Sequence, residues 1–292
     1  MNARSLLFLL AANFLGGSSY VATGYALRGF PSMPLVFWRT FLGGAVLFPL
    51  ALRAARNGEL GREDWLRMAA VGVFGLAAPL VIGTIGQAHS SATNASLLIG
   101  VEPVTILILS SIFLGERLTR AKIACIFSSM AGAAIIVLQG IPFYNARITP
   151  HFRGDVLLFI HGFGWALYSV IGKPVLRKVD PLVYTAITTA FAVVPIALAS
   201  FSQLWQVSAP GAAALGAIAY LGFGVTILGT WSWNKALEAV PASTLAHFVF
   251  LQPVIGVLLG TFLQKERLSA WSVLGGGLIL IGVYGASRQA RP

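Results

Sequence analysis

Apolar stretches of membrane-spanning length recur ten times along this 292-residue chain, and no other feature limits its possible folds so severely. A hydrocarbon core of about 30 Å takes roughly 20 helical residues to cross. On that measure spans fall near 5–27, 33–54, 65–87, 91–114 and 120–139, then near 154–175, 181–201, 211–235, 241–264 and 269–287. Lipid offers no partner to an unpaired backbone group, so each span must be a helix. Charged residues make up 10% of the chain, against roughly a quarter in soluble domains, and cannot clothe a soluble surface. The fold class expected is an all-α membrane protein with ten transmembrane helices. The run behind Arg4 continues to about Leu27 and reads as an uncleaved first span.

The net charge of +11 sits in short basic clusters between the spans, a topogenic pattern and not a nucleic-acid-binding face. With a cytoplasmic N-terminus, fourteen Lys and Arg residues lie inside, five lie outside and Arg39 falls within a span. That asymmetry places both termini in the cytoplasm. The lone Cys125 lies in an apolar run and permits no intrachain disulfide.

An internal repeat organises these spans. Aligning 101–134 with 251–284, without gaps, makes Pro103/Pro253, Leu109/Leu259, Glu116/Glu266, Arg117/Arg267 and Gly132/Gly282 identical pairs. The expected units are 1–139 and 154–292, joined by an external linker at 140–153. Five spans is an odd number, so the second unit must enter the membrane from the opposite side. Such inverted-topology repeats are characteristic of secondary transporters, whose site lies near mid-membrane between the halves. Duplication as a mere folding convenience is the plainer alternative.

The repeat also points to a site. Glu102-Pro103 and Gln252-Pro253 occupy the middle of matched apolar spans. A charged side chain there costs roughly 2.5–3.5 kcal/mol on insertion scales, which favours a bundle interior or a wet cavity. Each proline lacks an N–H and frees the carbonyl four residues earlier, on Ile99 and Val249, so Pro103 and Pro253 are candidate hinges. A plain packing kink is the competing explanation.

Helical spacing puts His161, Trp165 and Tyr168 on one face of the sixth span, and Asn13, Gly17 and Tyr20 on the matching face of the first. Trp231 and Asn234 lie three residues apart on the eighth. Together these suggest an aromatic, mostly apolar pocket with a few convergent polar groups, or else hydrogen-bonded packing between helices. Arg39 either snorkels to the interface or attracts a solute carboxylate at the outer vestibule. His247 reads as an interhelical hydrogen-bonding residue. Small residues, including Ser128, Gly132, Gly256, Gly260 and Gly275 to Gly277, mark close helix contacts. Thr119 and Ser269 precede the fifth and tenth spans as candidate N-caps. There is no P-loop, no His-Glu-x-x-His and no paired carboxylate cluster, so no ATP site, metal, cofactor or enzymatic activity is expected.

Two five-span halves, each with a mid-span proline followed by Gly-Glu-Arg-Leu (115–118) or Lys-Glu-Arg-Leu (265–268), resemble the drug/metabolite transporter superfamily. Trp38-Arg39, early in the second span, adds to the likeness, and the chain is most similar to EamA-type members. The resemblance implies a bacterial inner-membrane exporter of small metabolites, with aromatic amino acid exporters of the YddG type among the ten-span members. Lys265 and Gln252 depart from the first copy, which has Gly115 and Glu102.

The function expected is alternating-access export of small amphipathic metabolites, above all amino acids including aromatic ones. Tyr20, Trp165, Tyr168 and Trp231 would enclose the solute's side chain, while Asn13, His161, Asn234 and Gln252 bond its polar end. Glu102 would pair with its amino group or exchange a proton. The partners are then a small-molecule substrate and the lipid bilayer, with protons an open option and a monomer the assembly expected. A drug or toxic-cation exporter of the same fold and a non-transporting scaffold or sensor are the alternatives.

Overall fold

The computed structural model of the protein describes residues 3–57, 60–114, 119–138, 151–207, 209–239, 245, 248–249 and 251–288. Linker residues 140–150, the turn 115–118 with Glu116, and His247 lie outside them. All regular structure among the described residues is helical. The first repeat contains α1 (Ala3–Ala26), α2 (Ser32–Asn57), α3 (Arg62–Ala70, Val71–Ala77 and Ala78–Ala88), α4 (Ala92–Leu98, Ile99–Val101 and Glu102–Leu114) and α5 (Arg120–Leu138). The second contains α6 (Phe152–Leu176), α7 (Pro181–Ser200 and Phe201–Gln206), α8 (Ala212–Ala219, Tyr220–Gly229 and Thr230–Ala239), α9 (Leu251–Leu263) and α10 (Ala270–Arg288).

Among the described residues seven helices, α1 to α4 and α6 to α8, are long and apolar enough to cross a membrane. The others contribute the shorter apolar stretches Ile123–Leu138, Leu251–Leu263 and Ala270–Gly282. Leu7, Phe14, Phe127, Leu198 and Phe262 are exposed around the outside of the bundle. So much outward apolar surface suits acyl chains and not water. This is a multi-pass membrane protein.

The two repeats pack reciprocally. The C-terminal part of α3 lies along α6 as the later parts of α8 lie along α1, and α4 meets α6 as α9 meets α1. Equivalent helices also pair with each other: α2 with α7, α4 with α9, and α5 with α10. Small residues let α5 and α10 come close together. Ser128 Oγ donates to Leu278 O at 3.0 Å, and a Cβ built on Gly132 would collide with Gly275 O. Gly256 likewise brings α9 against Ser96 of α4, so these small residues serve close backbone approach.

Two departures from regular helix position the site. Val71–Ala77 in α3 and Tyr220–Gly229 in α8 are π-helical, with wider turns than the α-helix around them. The other is at α4, where Ile99–Val101 forms a 3-10 turn before Glu102 opens a fresh helix with Pro103 in its first turn. Pro103 has no N–H to give Ile99 O, which instead accepts the Glu102 N–H in the tighter turn. In the second copy Pro253 lies in the first turn of α9, and the preceding chain is described only at 245 and 248–249.

The repeated Glu-Arg-Leu turn has a structural task where it is visible. Glu266 N donates to Gly260 O at 3.3 Å, closing the end of α9, and Lys265 there has φ 55°. That is the position glycine commonly takes, and Gly115 stands there in the first copy. The Glu266 carboxylate then accepts the N–H groups of Ala92 at 2.9 Å and Thr93 at 2.8 Å, capping α4 from another helix pair. Ser269 caps α10 by accepting Ser272 N at 2.9 Å. At the same end Asn94 Nδ2 donates to buried Asp155 of α6 and Asn94 Oδ1 accepts from Ser272 Oγ, so α4, α6 and α10 are tied together. Glu266→Ala is expected to lower stability by about 1 kcal/mol, the usual loss for a removed helix cap, and a melting curve in detergent checks it.

Candidate functional site

A cavity of about 100 Å³ lies where α1, α2, α3, α4, α6, α8 and α9 converge. That is room for several waters. Tyr20, Ser19 and Thr23 face it from α1, Arg39 from α2, and Thr84 and Gln87 from α3. Glu102 reaches it from α4, His161 and Trp165 from α6, Thr230 and Trp233 from α8, and Gln252 from α9. Ala12, Leu80, Ile99 and Val225 supply apolar wall. The wall is thus mainly apolar with charged and hydrogen-bonding groups at a few points, the usual character of a small-molecule site.

The α4 break puts Glu102 at the start of a helix and on the cavity wall, 4% exposed. Helix N-termini favour negative charge. Glu102 has neither a hydrogen bond nor an ion pair among the described residues. Gln252, its counterpart by repeat, is held differently: its Nε2 donates to Asn13 Oδ1 at 3.2 Å, while Asn13 Nδ2 donates to Leu9 O. A Cβ on Gly16 would approach the Gln252 amide carbon to 2.9 Å, so glycine on α1 makes room for it. Asn13 itself is fully buried behind Gln252 and does not line the cavity.

His161 fits against α3 because Gly83 has no side chain; a Cβ there would collide with the imidazole. Its Nδ1 lies 2.6 Å from Pro79 O, which only accepts, so Nδ1 carries the proton. Nε2 then accepts the Trp165 indole N–H at 3.2 Å. Both ring nitrogens are committed, so His161 orients Trp165 and has no nitrogen left to bond a solute.

The aromatic stripe on α6 continues inward, with Trp165 and Tyr168 ring centroids 5.7 Å apart. Tyr168 is fully buried below the cavity, where Asn234 Nδ2 donates to its hydroxyl at 2.8 Å and to Thr185 Oγ1 at 2.9 Å. A stripe running from i to i+7 rises about 10 Å. The small cavity meets only its first two members, and Tyr168 with Asn234 forms the packed layer beneath. Trp231 is also apart, edge-on to Phe8 at 5.3 Å. Trp233 takes the cavity position instead, its indole donating to Ser169 Oγ at 3.1 Å. With two tryptophans two residues apart after a π-helical segment, spacing alone did not distinguish them.

Arg39 departs from the snorkelling alternative, being 6% exposed and turned into the cavity. Gln87 separates this cavity from a recess at the end of the bundle lined by Gly24, Arg28, Gln264 and Glu266. Its Nε2 donates to Tyr20 O, and Gln264 Nε2 donates to the neighbouring Val21 O at 2.7 Å.

Paired helical halves around a chamber of this kind have the build of a membrane solute transporter, and comparison with known proteins agrees. Residues 3–138 and 152–288 each match the EamA-like transporter family, and the chain belongs to that family. It is therefore a transporter and not an enzyme. An uncharacterized transporter of Bacillus subtilis, YyaM, is 25% identical over 98% of this chain and 94% of its own length. A probable terminal-alkyne amino-acid exporter of Streptantibioticus cattleyicolor is 26% identical over 82% of this chain and 77% of its own. A crystal structure covering all of both chains superposes with a TM-score of 0.70 at 21% identity, a likeness of fold.

Proposed function

We propose that the protein is a secondary transporter exporting small amphipathic solutes, chiefly amino acids including aromatic ones, across a bacterial inner membrane. The observation that carries this is the Glu102 carboxylate, buried on the wall of a central, mostly apolar cavity and without a partner among the described residues. A scaffold would have no use for such a group. The exporter from Streptantibioticus, named for an amino-acid substrate, supports the solute class.

In this reading the chain crosses the membrane ten times as two inverted five-helix units, 1–139 and 154–292, with both termini cytoplasmic. The reciprocal packing of the repeats supports that arrangement. Trp165, Trp233 and Tyr20 enclose the solute's side chain, Gln252 and Glu102 take its polar end, and Glu102 pairs with the amino group or carries a proton. Pro103 and Pro253 act as hinges as the halves rock.

Thermal-shift screening of the purified protein against amino acids, followed by proteoliposome flux of each hit, tests the proposal. A solute at one hundred times its Kd should stabilise the fold by about 2.7 kcal/mol. Absence of both stabilisation and flux across the amino acids would abandon it.

A further inference from the structure

Arg39 is buried inside the membrane-spanning bundle and faces the same cavity as Glu102. Its Nε is shut away from solvent without a hydrogen-bond partner, and the side chain has neither a hydrogen bond nor an ion pair among the described residues. The two opposite charges are not in contact, since no ion pair within 4.0 Å joins them. The Tyr20 phenol lies within electrostatic reach of both. A buried, uncompensated charge is unfavourable, and here two groups of opposite sign line one cavity.

We infer that Arg39 and Glu102 together form a receptor for a zwitterion, with Arg39 taking an α-carboxylate and Glu102 an α-ammonium group. A guanidinium presents a planar fork of N–H donors that matches a carboxylate in two parallel hydrogen bonds. One zwitterion satisfies both charges at once. A simple cation pairs with Glu102 but is repelled by Arg39, and a simple anion meets the reverse. Arg39 is thereby the residue that selects amino acids over lipophilic cations, and the loaded cavity carries no more net charge than the empty one. This rests on the transport reading above and adds to it the charge form of the solute.

The test uses one side chain in three charge forms: phenylalanine, phenylalanine amide and N-acetylphenylalanine, each competing for uptake or binding in proteoliposomes of the full-length chain. Wild type is expected to prefer phenylalanine at least about tenfold over either derivative, the equivalent of one charge-assisted hydrogen bond. Arg39→Gln should remove the preference over the amide, Glu102→Gln the preference over the N-acetyl form, and Arg39→Lys should retain part of the zwitterion preference. Equal handling of all three forms by wild type, a comparison needing no variant, overturns the inference while amino acid transport stands. So does an equal loss for all three in Arg39→Gln, which is what a merely structural arginine with water for a partner would give. If no charge form binds or moves, the transport reading falls and this inference with it.

Discussion

Glu102→Gln is expected to reduce amino acid flux at least about tenfold and to abolish any accumulation driven by an imposed pH gradient. Glu102 supplies the cavity's carboxylate, since no other acidic side chain among the described residues lines it. Truncating one partner of a buried, hydrogen-bonded charge pair typically costs about 2 kcal/mol or more, and 1.4 kcal/mol is about tenfold. Glutamine keeps the volume and can still bond, as Gln252 does in the matched position, so the fold should survive and the melting temperature serves as the control. Flux is then measured with and without the gradient. A variant that loses solute uptake entirely supports pairing with the amino group. One that equilibrates solute but no longer concentrates it supports proton exchange. Full gradient-driven accumulation by the variant removes Glu102 from coupling.

Gly132→Leu should cost most of the folded protein. Its Cβ would collide with the Gly275 carbonyl and approach Ile279 Cγ1 to 2.9 Å, and the first of these is backbone that no rotamer change can move. Overpacking typically destabilises by about 1–3 kcal/mol, and the α5–α10 pair has no slack to absorb it. Gly277→Leu is the informative companion, because a Cβ there meets nothing within 4 Å. Melting temperatures in detergent should fall sharply for the first and hardly change for the second. Equal effects would mean that the close approach of α5 and α10 is not what the glycine serves.

Much of this was readable from hydropathy. Span limits were within a few residues of the helices where both are described, because a 20-residue apolar run has few alternatives in lipid. Glu102 and Gln252 stood out since a polar group flanked by proline at mid-span needs a reason. What sequence did not convey was depth and rotation. Helical spacing placed Tyr168 and Asn234 on the correct sides of their helices, yet they meet each other below the cavity. Asn13 backs Gln252 from a second layer. Trp231 and Trp233 differ only in a rotation that the π-helical part of α8 helps to set. Arg39 was visible as an intramembrane cation, but its direction depends on α2 lying beside α8 and α3, a long-range arrangement that one helix cannot announce. His161 was expected either to bond the solute's polar end or to pack between helices, and only the Pro79 carbonyl and the Trp165 indole show where its two ring nitrogens go.

The widened turns in α3 and α8 occupy equivalent places, Val71–Ala77 in one repeat and Tyr220–Gly229 in the other. π-Helical turns inside α-helices are rare and are frequent at functional sites. Each half of the molecule thus sets one loosened helix tightly against the other half: a Cβ on Gly72 or Gly75 of α3 would collide with Thr188 or Tyr168, and one on Gly222 of α8 with Leu42.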